Sequence, residues 1–196
     1  KDVQPHAPYV RSDNFDGKAL LPVWQWNHEP VDGKWKLSGG KLRLYTLPAK
    51  DFLWARNTLT QRGIGPVSVA TVEVDASRLK DGDVAGIGLL NMPCAWMGLV
   101  KEGKNYVLRW YDQASGQQKD VQMGEAVSLR ITGDFHRARA QFSYSEDGET
   151  FINVGDSVRM PYQLKTFQGT RYALFAYNTN GKSGGYAQFD NFTVDE

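Results

Sequence analysis

The sequence predicts an all-β protein, a two-sheet antiparallel sandwich or jelly roll. Three observations carry that prediction. Short runs of alternating polarity recur along the chain, Gly, Pro, Asn and Asp separate them, and no segment sustains a helical period over three turns. Many short strands at near-regular spacing are the pattern of a sandwich. At 196 residues the chain is close to one large domain, and all-β folds of this length often stay undivided.

Residues 1–12, with Pro5 and Pro8, read as an extended linker or docking arm, and 13–196 as the sandwich. Lys41 to Tyr45, Val67 to Val74, Tyr106 to Tyr111 and Val127 to Ile131 alternate cleanly. Ala138 to Ser145, Tyr172 to Asn178 and Gln188 to Val194 are further strands. Ser145-Glu146-Asp147-Gly148-Glu149 reads as a hairpin turn, with Gly148 free to adopt positive φ. There is no convincing internal repeat and no low-complexity tract.

Composition narrows the function. Net charge is +1, from 23 basic and 22 acidic residues without a basic block, so nucleic acid and anionic membranes are not expected partners. No apolar run approaches the ~20 residues of a membrane span. The single cysteine, Cys94, cannot form an internal disulfide. It lacks helix or basic context that would lower its pKa, and reads as a packing residue.

Catalytic signatures are weak. Glycoside hydrolysis usually needs two carboxylates flanking a cleft, whereas Glu146, Asp147 and Glu149 crowd a hairpin tip. His6, His28 and His136 are scattered, and no Gly-x-Ser-x-Gly elbow is present. The chain by itself is not expected to be an enzyme.

Binding signatures are stronger. Trp24-Gln25-Trp26-Asn27-His28-Glu29-Pro30 places two tryptophans on one face of a strand and then a polar turn. Ala55 to Arg62 adds Arg56, Asn57, Gln61 and Arg62. Flat rings beside amide and guanidinium donors suit a sugar, and equally a polar domain interface. Trp26, nearer the turn, is the better surface candidate of the pair. Trp54 follows Asp51-Phe52-Leu53, a segment too apolar for an idle loop, and one of Trp110 and Tyr111 must face away from the core. Trp35, Phe142, Phe175, Phe189 and Phe192 read as packing. If the first and last strands pair, Asp13, Asp16 and Asp190 converge, and such oxygen ligands suit structural Ca²⁺. The same acids also read as strand ends and turn caps. Asp81-Gly82-Asp83 is a weaker metal candidate and reads more simply as a turn.

The ordered segments Asp13 to Gly17, Trp24 to Pro30, Gly40 to Leu44, Ala55 to Arg62, Ala85 to Leu89 and Ala187 to Phe192 together resemble one family. It is the C-terminal concanavalin A-like domain of glycoside hydrolase family 43 β-xylosidases and arabinofuranosidases, with related modules classed as carbohydrate-binding module family 91. The resemblance covers about residue 12 to the end. It implies a concanavalin A-like sandwich fused behind a catalytic β-propeller, in a secreted or periplasmic bacterial enzyme. It further implies an aromatic loop that helps close the active-site pocket. Here that loop most resembles Lys165 to Thr170, so Phe167 is the residue carried over; an ordinary strand-leading aromatic is the alternative.

The leading expectation is a non-catalytic module that binds xylan or xylo-oligosaccharides through Trp26, His28, Trp54, Arg56, Gln61, Arg62, Tyr111 and Phe167. The alternative is a structural domain that docks on the propeller and completes its pocket without independent sugar affinity.

Overall fold

The computed structural model describes residues 10–160 and 169–196. They form two seven-stranded antiparallel sheets. The first sheet runs in the order β1 (Gln25–Trp26), β4 (Leu59–Arg62), β13 (Arg171–Asn178), β6 (Asp83–Leu90), β7 (Ala95–Glu102), β8 (Asn105–Asp112) and β9 (Gln117–Met123). The second runs β12 (Ile152–Arg159), β11 (Arg139–Ser145), β10 (Ala126–Asp134), β5 (Val67–Asp75), β14 (Tyr186–Asp195), β3 (Lys41–Tyr45) and β2 (Trp35–Ser38). This is the two-sheet sandwich that the alternating runs predict.

The main core lies between the sheets. Leu42, Leu44, Val72, Leu129, Phe142 and Phe189 meet Leu59, Ile87, Met97, Leu108, Trp110 and Leu174 there. In the second sheet the other side of each strand is polar or half-exposed, so alternation is visible along β3, β5 and β10.

The first sheet differs because both its faces are covered. On β13, Tyr172, Leu174 and Ala176 join the main core, while Ala173, Phe175 and Tyr177 join a second apolar cluster on the outer face. Phe52, from the short 3₁₀ turn Phe52–Trp54, caps that cluster with its ring edge-on to Phe175 at 4.8 Å. Asp51 starts the turn, its carboxylate accepting from the Leu53 N–H at 3.1 Å. Glycine permits this close layering. A Cβ at Gly88 would stand 2.7 Å from the Phe52 ring, and one at Gly98 would stand 2.6 Å from the Ala85 carbonyl oxygen across the ladder.

The two ends of the described chain meet. Asp13 and Phe192 exchange backbone hydrogen bonds of 2.8 and 3.0 Å, and the Ser12 hydroxyl accepts from the Val194 N–H. The last residues of the predicted arm are thus held against the sandwich: the Gln61 amide donates to the Arg11 carbonyl, and the Arg11 guanidinium donates to the Arg62 carbonyl.

Candidate functional site

The polar turn after β1 and the segment leading into β4 come together at one edge of the first sheet. Asn57 joins them. It sits at φ +56°, a left-handed conformation that asparagine tolerates better than most residues, and its side chain brackets Val31. Its Oδ1 accepts from the Val31 N–H at 2.7 Å, and its Nδ2 donates to the Val31 carbonyl at 3.3 Å. The Asn27 N–H donates to the Thr58 carbonyl, which fixes the start of the turn against β4.

Several of the expected binding residues are engaged by the chain's own backbone. His28 Nε2 lies 3.1 Å from the Leu53 carbonyl oxygen, so it carries the proton and donates. Arg56 donates to the Glu29 carbonyl at 2.8 Å. Gln61 is fully buried and donates to Arg11, while its Oε1 has no partner among the described residues. These contacts tie turn, 3₁₀ segment and arm into one surface.

The aromatic residues divide. Trp24 is buried, and Trp26 is half-buried with its ring tilted against Trp35 at 5.0 Å. Trp54 is 57% exposed. Its ring stands parallel to His28 at 6.3 Å, and Lys50 Nζ lies 5.2 Å from its centroid. Tyr111 is on β8, away from this edge, tilted against Trp96 on the outer face of the first sheet. Its neighbour Trp110 is buried in the main core, as opposite pointing requires. Arg62 is exposed at the end of β4. Phe167 lies outside the described residues.

A polar cavity of about 400 Å³ opens at the same edge, lined by Gln25, Trp26, Asn27, Thr60, Leu90, Gly169 and Arg171. Arg171 is the residue that sequence reasoning missed. The signal was available: it is a lone charge at the head of the apolar run Tyr172-Ala173-Leu174-Phe175-Ala176. Burial and, second, the nearby Arg62 charge lower its pKa.

The acidic candidates do not gather around one point. Asp13 is buried and both its oxygens are engaged, Oδ1 by the Phe15 N–H at 2.8 Å and Oδ2 by Trp24 Nε1 at 3.0 Å. Asp16 is exposed. Asp190 lines a separate groove of about 360 Å³ with Glu73, Asp75, Glu146 and Asp147. First and last segments do meet, but among the described residues no three His, Cys, Asp or Glu side chains are placed to share a metal ion. Asp83 is also occupied: its carboxylate accepts from Asn178 Nδ2 and from the Lys80 and Gly185 N–H groups. No helix is long and apolar enough to cross a membrane among the described residues.

Two facing antiparallel sheets, with a polar edge built from the β1 turn and β4, define a concanavalin A-like sandwich. The chain belongs to the beta-xylosidase C-terminal concanavalin A-like domain family, which it matches over residues 12–195. A Xylanibacter ruminicola protein provisionally named a beta-xylosidase is 34% identical over 146 residues, covering 72% of this chain and 26% of that protein. A beta-xylosidase of Formosa agariphila is 28% identical over 211 aligned positions, covering 93% of this chain and 34% of its own. Among solved structures, a bifunctional GH43-CE protein of Bacteroides eggerthii superposes with a TM-score of 0.88 at 35% identity, over 95% of this chain and 26% of that one. The chain therefore spans about a quarter to a third of the length of these relatives. It is a C-terminal accessory domain of the glycoside hydrolase family 43 enzymes.

Proposed function

We propose that this domain docks on the catalytic domain of a β-xylosidase-type glycoside hydrolase and helps shape its substrate pocket. One observation carries the reading. His28, Arg56 and Gln61 donate to the chain's own carbonyls, which leaves those donors poorly placed to hold a neutral sugar. Trp54 stays exposed, flanked by the His28 ring and the Lys50 ammonium, and is the kind of aromatic anchor that dominates protein interfaces.

The test is sedimentation of the chain with the separately produced catalytic domain of its parent enzyme. A complex that Trp54→Ala weakens by roughly tenfold or more is expected for a hot-spot residue. Absence of any complex, with saturable binding of xylohexaose by the chain alone, would overturn it. That second result belongs to the other reading, a xylan-binding module, which the exposed ring of Trp54 favours. Calorimetric titration with xylohexaose separates the two.

A further inference from the structure

Arg171 heads β13 directly opposite Arg62 on β4. It is only 8% exposed, and its contact is with the Thr60 hydroxyl at 3.4 Å. No carboxylate pairs with it among the described residues. Burying a guanidinium beside a second cation is costly unless an anion completes the site. A structural arginine with no role beyond packing would be expected to have an acidic neighbour.

The surroundings say what kind of anion fits. The side-chain amides of Gln25 and Asn27 make no hydrogen bond among the described residues, and both line the cavity with Arg171. The volume of about 400 Å³ falls within the ~300–1,000 Å³ of small-ligand pockets and far exceeds what one carboxylate displaces. A side-chain carboxylate reaching in from another protein would leave most of this space to water.

We propose that this cavity is a binding site for a sugar acid, a hexuronic acid residue. Its carboxylate meets the Arg171 guanidinium, with Arg62 adding positive potential at the rim. Its ring hydroxyls meet the side-chain amides of Gln25 and Asn27. Arginine suits the role because its planar fork matches a carboxylate with two parallel hydrogen bonds. The inference goes beyond the docking role and needs only residues of this chain.

The experiment is calorimetric titration of the chain with the methyl glycoside of glucuronic acid, and in parallel with methyl glucoside and with acetate. The glucuronoside is expected to saturate in the millimolar range, and added salt should weaken it. Methyl glucoside should bind roughly tenfold more weakly or not at all, the loss of one charge-assisted contact. Arg171→Gln should erase that preference. If that variant does not fold, Arg62→Gln, altered only at an exposed side chain, should weaken the glucuronoside several-fold and leave methyl glucoside unchanged. The proposal is overturned if glucuronoside does not saturate, if acetate or methyl glucoside binds as well, or if the preference survives in a folded Arg171→Gln protein. A chain that ignores glucuronoside yet sediments with the catalytic domain loses this site and keeps the docking role.

Discussion

At the residue scale, Asp13 holds a buried corner together through the hydrogen bonds it accepts. Its two oxygens serve the Phe15 N–H and the Trp24 indole, and Trp24 packs on Phe15 and Phe192. Asp13→Ala orphans two buried donors, at about 1–3 kcal/mol each, and should lower the urea midpoint without changing the slope. EDTA should leave the melt where it is; a drop of several degrees would put an ion back among Asp13, Asp16 and Asp190. Asp147 offers a test by pH. Its Oδ1 accepts from the Thr150 and Glu149 N–H groups and the Ser145 hydroxyl, and these bonds pull its pKa from 3.8 to about 2. A depressed carboxylate pKa stabilises the fold above the unfolded value, and that contribution fades as pH falls from about 4 toward 2. Asp147→Asn should therefore flatten the acid limb of the melting profile between those values and leave the region above pH 5 little changed in slope.

At the element scale, what could be read from sequence depended on how many faces of a strand are buried. β3 spans Lys41–Tyr45 and β13 Arg171–Asn178, close to the predicted Lys41 to Tyr45 and Tyr172 to Asn178. β5, β8, β10, β11 and β14 lie where alternation placed them, each within a few residues. β6 and β7 could not be found by alternation, because Asp83–Leu90 and Ala95–Glu102 are buried on both sides nearly throughout. β9 was missed for the opposite reason: Gln117–Met123 is an edge strand with little burial and no apolar face to mark it. The candidate site was half legible. The aromatic and polar residues of the β1 turn and β4 do share one edge, but sequence could not show that their donors would be engaged by local carbonyls. Tyr111 is a candidate because one of Trp110 and Tyr111 must face away from the core, and it does face outward. Its place on β8, away from this edge, depends on strand order, which is invisible in sequence. The layering on the outer face also makes a prediction. Gly88→Ala forces a methyl into the Phe52 ring, so it should destabilise by about 1–3 kcal/mol through overpacking. Because Phe52 and Trp54 share one short turn, Trp fluorescence should report greater exposure in that variant; an unshifted spectrum with full stability would show that the turn absorbs the methyl.

At the scale of the whole molecule, the sheets share one core and the chain crosses between them repeatedly. β14 sits between β5 and β3, far from both in sequence, and β13 sits between β4 and β6. Such non-local pairing leaves no half of the chain able to bury its own core, so unfolding should be a single cooperative event. Far-ultraviolet and near-ultraviolet circular dichroism should give coincident urea transitions; separated midpoints would mean that one sheet outlives the other. Refolding should be slow for a chain of this size, in the millisecond-to-second range or beyond, as sheets of high contact order generally are.

The antiparallel contact of Asp13 with Phe192 sets how the domain responds to load. The chain arrives and departs side by side at one corner, joined by a single reciprocal pair of backbone bonds and the Ser12 to Val194 contact. Tension applied between its two ends would pull across that clasp and open it as a zipper, contact by contact, rather than shearing many bonds together. A neighbouring domain tugging on both strands of this corner would thus loosen Trp24 and its aromatic neighbours first, and leave the far strands β8 and β9 unstrained.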